Sequence, residues 1–122
     1  MNPELIISTF SVAVELTFRK FDFIYYCYII VKEGSPSNEE LETLSQKIGE
    51  GWKPLGRRLN MNDSKLIAFH KENEEYTEKP YKMLLFWKQR ESSAATYQVL
   101  YEALCHRLVN RRDLAEDICG YK

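Results

Sequence analysis

Apolar residues between positions 81 and 108 follow two helical stripes separated by a polar break. Tyr81, Leu84 and Trp87 recur every three residues, which on a helix makes one broad apolar face. After polar residues 88–93, in which Ser92 and Ser93 can cap a new helix, further apolar residues fall at i, i+3, i+4, i+7 and i+11: Tyr97, Leu100, Tyr101, Leu104 and Leu108. Two amphipathic helices joined by a short break predict an antiparallel hairpin, against which the remaining elements pack.

Three shorter helices are predicted before this hairpin. Ser37 and Glu40 form a capping-box pair that begins the first helix, and Gly49 and Gly51 end it. Pro54 falls in the first turn of the second helix, where its missing N–H is tolerated. The inward positions of the three helices are Leu41, Leu44 and Ile48, then Trp52, Leu55 and Leu59, then Leu66 and Phe69.

Further capping residues divide the chain into six predicted helices. Asn62 and Asp63 can both cap the third helix, Thr77 the fourth and Asn110 the sixth. Six helices joined by short turns predict an all-α bundle. Its expected core consists of the inward residues Leu44, Ile48, Trp52, Leu55, Leu59, Leu66, Phe69, Tyr81, Leu84, Trp87, Leu100, Leu104 and Leu114.

Residues 1–33 differ from the rest because they are almost continuously aliphatic and aromatic. Charges at Glu15, Arg19, Lys20 and Asp22 interrupt the stretch, so a membrane span is not favoured, although membrane contact stays open. Gly34-Ser35-Pro36 is a predicted linker, which divides the chain into an apolar segment, 1–36, and a helical domain, 37–122.

The apolar segment has no place among the six predicted helices. Phe86 and Met83 are expected to fall outside the core stripe of the fourth helix, on either side of Leu84. An exposed phenylalanine usually marks a contact surface. We therefore hypothesise that residues 5–31 pack across the face that carries Phe86.

Composition restricts the function classes. The 122 residues carry 17 basic and 18 acidic side chains, a net charge of −1, which argues against a nucleic-acid binder. Three widely spaced cysteines without a CxxC pair argue against a disulfide framework or a zinc site, and indicate free thiols in a reducing compartment. Cys105 and His106 are adjacent on the chain and point apart on a helix, so no metal, cofactor or catalytic pair is expected.

From residue 41 to residue 119 the chain resembles a death domain. The matching pieces occur in order: Leu41-x-x-Leu44, Gly51-Trp52-Lys53-x-Leu55-Gly56-Arg57-x-Leu59, Asp63 with Leu66, Tyr81-x-Met83-Leu84-x-x-Trp87, Ala95-Thr96-Tyr97-x-x-Leu100-x-x-Ala103-Leu104 and Arg112-Asp113-Leu114-Ala115-Glu116. The resemblance implies a Greek-key bundle of six antiparallel helices. It also implies a non-catalytic, cytoplasmic module that binds other death domains in apoptotic or innate-immune signalling, with possible helical oligomers.

Charged residues form three groups that are the expected partner-binding residues. A basic group lies on the second and third helices, an acidic group follows the third helix, and a second basic group lies at the last turn: Arg57, Arg58 and Lys65; Glu72, Glu74 and Glu75; Arg111 and Arg112. Arg57 and Arg58 lie off the apolar stripe and should face water. The resemblance adds Asp63 to this set and places Arg57 at a common contact position.

Two other functions stay open at the level of sequence. Short helices carrying Arg57-Arg58 could belong to a helix-turn-helix domain that binds nucleic acid, although the balanced charge argues against it. Alternatively, residues 1–33 could tether an interaction domain to a membrane.

Overall fold

A computed structural model describes residues 31–121, and within them the regular structure is helical. The helices are α1 (Asn38–Ile48), α2 (Trp52–Arg58), α3 (Asp63–Glu72), α4 (Glu78–Glu91), α5 (Tyr97–Cys105) and α6 (Arg112–Cys119). Short 3₁₀ turns, Gly49–Gly51 and Ser92–Ala94, follow α1 and α4. The expectation of an all-helical domain is confirmed. The hypotheses of membrane contact by residues 1–33 and of docking by residues 5–31 fall almost entirely on residues 1–30, which lie outside the described part of the chain.

Local capping chemistry sets the start of α1 and α3 as the sequence predicts. The Ser37 hydroxyl accepts a hydrogen bond from the Glu40 N–H at 3.1 Å, and the Ser37 N–H donates to the Glu40 carboxylate at 3.0 Å, so the capping box is complete. The Asn62 side chain accepts from the Lys65 N–H at 2.8 Å and caps α3. Gly49 ends α1 with φ +60°, a conformation that favours glycine.

Three other predicted caps differ from the structure. Ser92 adopts φ +53° and ends α4, and Thr96 caps α5 instead by accepting from the Val99 N–H at 3.2 Å. Thr77 occupies the N-cap position of α4, but its side chain makes no capping hydrogen bond. Asn110 has a left-handed backbone conformation and does not cap α6. The N-cap position of α6 is occupied by the next residue, Arg111.

The core lies between α4 and the helices around it. α4 packs against α1, α2 and α3, while α5 packs against α6. Twelve of the expected core residues are buried: Leu44, Ile48, Trp52, Leu55, Leu59, Leu66, Phe69, Leu84, Trp87, Leu100, Leu104 and Leu114. The expectation for the thirteenth, Tyr81, is wrong, because its side chain is only partly buried.

The buried face of α4 is rotated relative to the predicted stripe. Met83, which was expected to lie outside the core, is completely buried, so that prediction is wrong. The reason is that α2 and α3 cover this side of α4 in addition to α1. Leu108 is 58% exposed because α5 ends at Cys105, before the predicted stripe is complete.

Gly56 allows α2 to approach its neighbours closely. A Cβ atom at this position would stand 2.6 Å from Leu66 Cδ2 and 3.6 Å from Met83 Cγ. The first distance is far below van der Waals contact, so a side chain here would require the buried Leu66 side chain to move. The absence of a side chain at Gly56 therefore leaves room for Leu66 beside α2.

Residues 31–36, here called the leading segment, lie against the helices although the sequence predicts a linker at 34–36. Val31 is buried and forms an antiparallel bridge with Gly120, and the Lys32 N–H donates to the Cys119 carbonyl at 2.8 Å. The Gly34 carbonyl accepts from the Tyr97 N–H at 2.9 Å. The compact unit that contains the helices accordingly starts at Val31.

Glu40 joins the leading segment to α1 and α5. Its carboxylate accepts hydrogen bonds from the Tyr97 hydroxyl and from Lys32 Nζ, the latter at 3.0 Å, besides the capping bond from Ser37. Burial alone would raise the pKa of Glu40, but these donors outweigh it and lower the pKa to about 2. Burial and the Glu40 carboxylate raise the pKa of Tyr97 to about 12.

We predict that Trp87→Ala lowers the free energy of unfolding by about 3–5 kcal/mol, because it empties a large, fully enclosed site. Trp87 is 1% exposed at the centre of α4. Urea unfolding followed by circular dichroism measures the change. Ile67→Ala is the control, since Ile67 is 50% exposed and its truncation should cost about 0.5 kcal/mol or less. Equal unfolding midpoints for the two variants would contradict the packing described for α4.

We predict that the stability contributed by Glu40 disappears in acid. Its folded-state pKa of about 2 lies below the ordinary 4.5, so the ionised form stabilises the fold above pH 4.5 and the contribution is lost between pH 4.5 and 2. The shift corresponds to at most about 3 kcal/mol. The difference in unfolding free energy between wild type and Glu40→Gln should thus be largest near neutral pH and shrink towards pH 2.

The matched control is Glu42→Gln, because Glu42 is exposed and lies only two residues from Glu40 on α1. The unfolding free energy of this variant should equal that of the wild type at every pH. A constant difference between wild type and Glu40→Gln from pH 7 to pH 2.5 would show that the carboxylate charge contributes nothing to the attachment.

Candidate interaction surfaces

The corner between α2 and α3 carries an exposed ion pair. Arg57 Nε donates to Asp63 Oδ1 at 3.0 Å, and both side chains remain largely open to water. Ile67 lies one helical turn beyond Asp63 on α3 and is 50% exposed. Arg57, Asp63 and Ile67 are here called the α2–α3 corner. They provide a cation, an anion and an apolar side chain on adjoining turns.

Arg58 is placed differently from Arg57, and the expectation that it faces water is wrong. Its guanidinium Nη1 lies 3.3 Å from His106 Nε2 in the turn after α5, and its Nε is buried without a hydrogen-bond partner among the described residues. The residue as a whole is partly buried. Arg58 therefore links α2 to the α5–α6 turn and is poorly placed to bind a partner.

Lys65 covers apolar rings on the other side of α3. Its Nζ lies 4.4 Å from the centroid of the Phe86 ring and 5.4 Å from that of Phe69. Arg90 lies 5.8 Å from the Phe86 centroid, and the Phe69 and Phe86 rings meet edge to face at 5.7 Å. Phe86 is partly exposed, as expected, but cations and a ring of the same domain already cover much of it.

The expected acidic group is fully presented to water. Glu72, Glu74 and Glu75 lie in residues 72–77, here called the acidic loop, and all three side chains are exposed. Within residues 31–121 no ion pair engages these carboxylates. The loop is therefore a concentrated negative surface between α3 and α4.

Arg111 has a structural role at the last turn. It forms two hydrogen bonds of 3.1 Å to the Asp113 carboxylate, and its Nη1 approaches the carbonyls of Lys47 and Ile48 at 3.4 and 3.5 Å. The hydrogen bond to Asp113 raises the pKa of Arg111. Because these carbonyls end α1, Arg111 satisfies acceptors that a helix end leaves open.

Arg112 lies on the outer side of α6. It pairs with Glu116 one turn later, at 3.2 Å, and both side chains are more than half exposed. An exposed pair of this kind contributes at most about 1 kcal/mol. Unlike Arg111, it remains accessible to a partner.

The structure thus separates residues that the sequence groups together. Arg57 and Asp63 meet at the α2–α3 corner, whereas Arg58, Lys65 and Arg111 contact their own domain. Ile67 was missed in the sequence because it lies off the apolar stripe and carries no charge. Its spacing of four residues from Asp63 is the signal that could have identified it.

His70, Cys105 and Cys119 are titratable residues outside these surfaces. Within residues 31–121 there is no group of three or more His, Cys, Asp or Glu side chains that could hold a metal ion. Nearby Lys79 and Lys53 lower the pKa of the exposed His70. Burial raises the pKa of Cys105, and raises that of Cys119 to about 12, so both thiols are poor nucleophiles.

The family model described as the death domain matches residues 38–121. The chain belongs to the death domain family. Death domains are non-catalytic modules that bind other proteins, and those they bind typically include other death-fold proteins. None of the helices in the described part of this death domain is long and apolar enough to cross a membrane.

One curated relative extends the comparison. The death domain is similar to human THO complex subunit 1, with 30% identity over 82 residues. The match takes in 67% of this chain but only 12% of the relative, so the chain spans about an eighth of that protein's length.

We predict that Arg58→Glu destabilises the domain whereas Arg57→Glu does not. Arg58→Glu removes packed methylene groups and the donor that faces His106, which should cost about 1–2 kcal/mol. Arg57→Glu changes an exposed position and should stay within about 0.5 kcal/mol. Thermal melts of the two variants measure the difference. If both variants have the melting temperature of the wild type, Arg58 does not stabilise the contact between α2 and the α5–α6 turn.

Proposed function

We propose that this death domain assembles with other death domains through its α2–α3 corner, as part of apoptotic or innate-immune signal transduction. The observation that carries the proposal is the exposed Arg57–Asp63 pair beside the exposed Ile67. The proposal keeps the six-helix Greek-key bundle expected of the family and assigns the chain a role in assembly, such as that of an adaptor.

The corner suits a contact because little stability is lost when it is rearranged. An exposed ion pair contributes about 0–1 kcal/mol to the fold, so Arg57 can exchange Asp63 for a carboxylate of the partner at little cost. Covering the open half of Ile67 would contribute about 1 kcal/mol. The ionic part of such a contact sets which partner is accepted and how fast it binds.

The acidic loop supports a contact between unlike faces. Glu72, Glu74 and Glu75 present negative charge that would complement Arg57 of another death domain. A contact between two different faces leaves one unused face on each terminal subunit, so subunits can continue to add in a helical array. Arg112 is a further candidate for the rim of this contact.

The wider setting of the proposal is cytoplasmic. Cys105 and Cys119 are free thiols in the structure, which suits a reducing compartment. The human relative is by name a subunit of a complex, and an assembly role here would agree with that name. The nucleic-acid alternative is less favoured, because the net charge is −1 and Arg58 lies against the α5–α6 turn.

We predict that Arg57→Glu abolishes association with death-domain partners and leaves folding intact, because it places like charges across the contact. Sedimentation velocity of the domain over a concentration series measures self-association, and pull-down with purified death domains measures heteroassociation. Lys82→Glu is the control, since it changes the net charge equally at an exposed position of α4.

A charge exchange tests the pairing of the two faces. Mixing Arg57→Glu with a variant that carries Glu74→Arg and Glu75→Arg should restore association that neither variant shows alone. Wild-type association by Arg57→Glu would exclude the α2–α3 corner as the contact. Loss of association by Lys82→Glu to the same degree would attribute the effect to net charge.

A further inference from the structure

The acidic loop lies within an unusually open stretch of chain. Between the buried Phe69 and the buried Pro80, the ten residues 70–79 include no buried residue. This is the longest such run in residues 31–121. Segments with few buried contacts open locally at low free energy, so this stretch can move without disturbing the core.

Tyr76 is at the centre of this stretch. Its side chain is 47% exposed, and it follows Glu72, Glu74 and Glu75 at distances of four, two and one residues. Glu78 follows two residues later. A large aromatic side chain with a phenolic hydroxyl is thus presented in a negatively charged peptide.

The other tyrosines of the described chain lack this combination. Tyr101 is completely buried, and the hydroxyl of Tyr97 donates to Glu40. Tyr81 is partly buried within α4. Tyr121 is 65% exposed, but the three residues before it are buried, and one of them pairs with Val31.

We propose that Tyr76 is a phosphorylation site for a protein tyrosine kinase whose peptide-binding groove is basic. The kinase supplies the catalytic groups and ATP supplies the phosphoryl group. A bond forms between Tyr76 Oη and the γ-phosphorus as the bond to the β,γ-bridging oxygen breaks. ADP leaves, and the phenolic proton passes to the catalytic base of the kinase.

The loop can enter a kinase groove because few interactions hold it. Asn73 already has extended backbone, with φ −121° and ψ 121°. Besides the helical hydrogen bonds at its two ends, the bonds of the stretch include Asn73 Nδ2 to the Phe69 carbonyl at 2.9 Å, Glu78 N–H to the Glu75 carbonyl at 3.1 Å, Lys79 Nζ to the His70 carbonyl at 2.8 Å and Tyr81 N–H to the Thr77 carbonyl at 3.4 Å. Acidic side chains before the tyrosine would pair with cations of the groove and give selectivity.

A phosphate on Tyr76 would also change the surface of the domain. Partial burial and the nearby Glu50 carboxylate raise the pKa of the Tyr76 phenol, so Glu50 lies close enough to act on this side chain. A phosphate adds a charge of about −1.5 to −2, which Glu50, Glu74 and Glu75 would repel. The modified loop would therefore move away from the end of α1 and carry more negative charge.

The test is phosphorylation of the full 122-residue chain by a purified tyrosine kinase that selects acidic residues before the tyrosine. Peptide mapping by mass spectrometry locates the phosphate. We expect modification at Tyr76 in preference to Tyr121, and loss of that phosphopeptide in Tyr76→Phe but not in Tyr121→Phe. The site stands independently of the proposed partner contact, so failure of either leaves the other unaffected.

A charge variant and a peptide distinguish the possible reasons for failure. Glu74→Gln with Glu75→Gln should lower kcat/KM at Tyr76 several-fold, whereas Glu39→Gln with Glu42→Gln, on the exposed side of α1, should leave it unchanged. A synthetic peptide of residues 70–79 shows that the kinase accepts the sequence. The proposal is overturned if the peptide is modified and the protein is not, if neither is modified, or if Tyr121 is modified first.

Discussion

The burial of α4 is the constraint on which the other helices depend. α4 contacts α1, α2 and α3, and its inward residues Met83, Leu84 and Trp87 are almost completely removed from water. Helices as short as these are marginal on their own in water, so their stability comes from this shared apolar contact. The position of the α2–α3 corner therefore depends on packing on its inner side. Gly56 belongs to this packing, because a Cβ atom there would stand 2.6 Å from Leu66 Cδ2.

Hydrophobic spacing predicted the all-helical fold, and capping residues predicted some of the helix starts, because both act over one or two turns. Ser37 and Asn62 cap α1 and α3 as expected for this reason. The prediction of which α4 residues are buried was less accurate. A single apolar stripe is expected only where a helix packs against one neighbouring surface. Helices on several sides of α4 bury Met83 and leave Tyr81 partly open. Which sides are covered depends on the tertiary arrangement, which periodicity does not contain.

The candidate site was predictable in part for a related reason. Charge and position identify Arg57, and the resemblance to a death domain adds Asp63, which is six residues away and meets Arg57 locally. Arg58 and Arg111 instead reach residues 48 and 64 positions away, and long flexible side chains give no sequence signal of such partners. The leading segment is a similar case. Gly34 and its neighbours have the composition of a linker, yet their backbone groups bond to α5 and to the end of α6.

The bridge between Val31 and Gly120 brings the two ends of the domain to one point. The point at which the chain enters the domain, Val31, and the point at which it leaves, Gly120, are about 5 Å apart, which is the spacing of two neighbouring strands. A domain with adjacent ends can be inserted into a loop of another protein, or circularly permuted, with little change in its core. Tension applied through both ends would act first on the bridge and on the Lys32 N–H bond to Cys119, and would reach the helices only after these had parted.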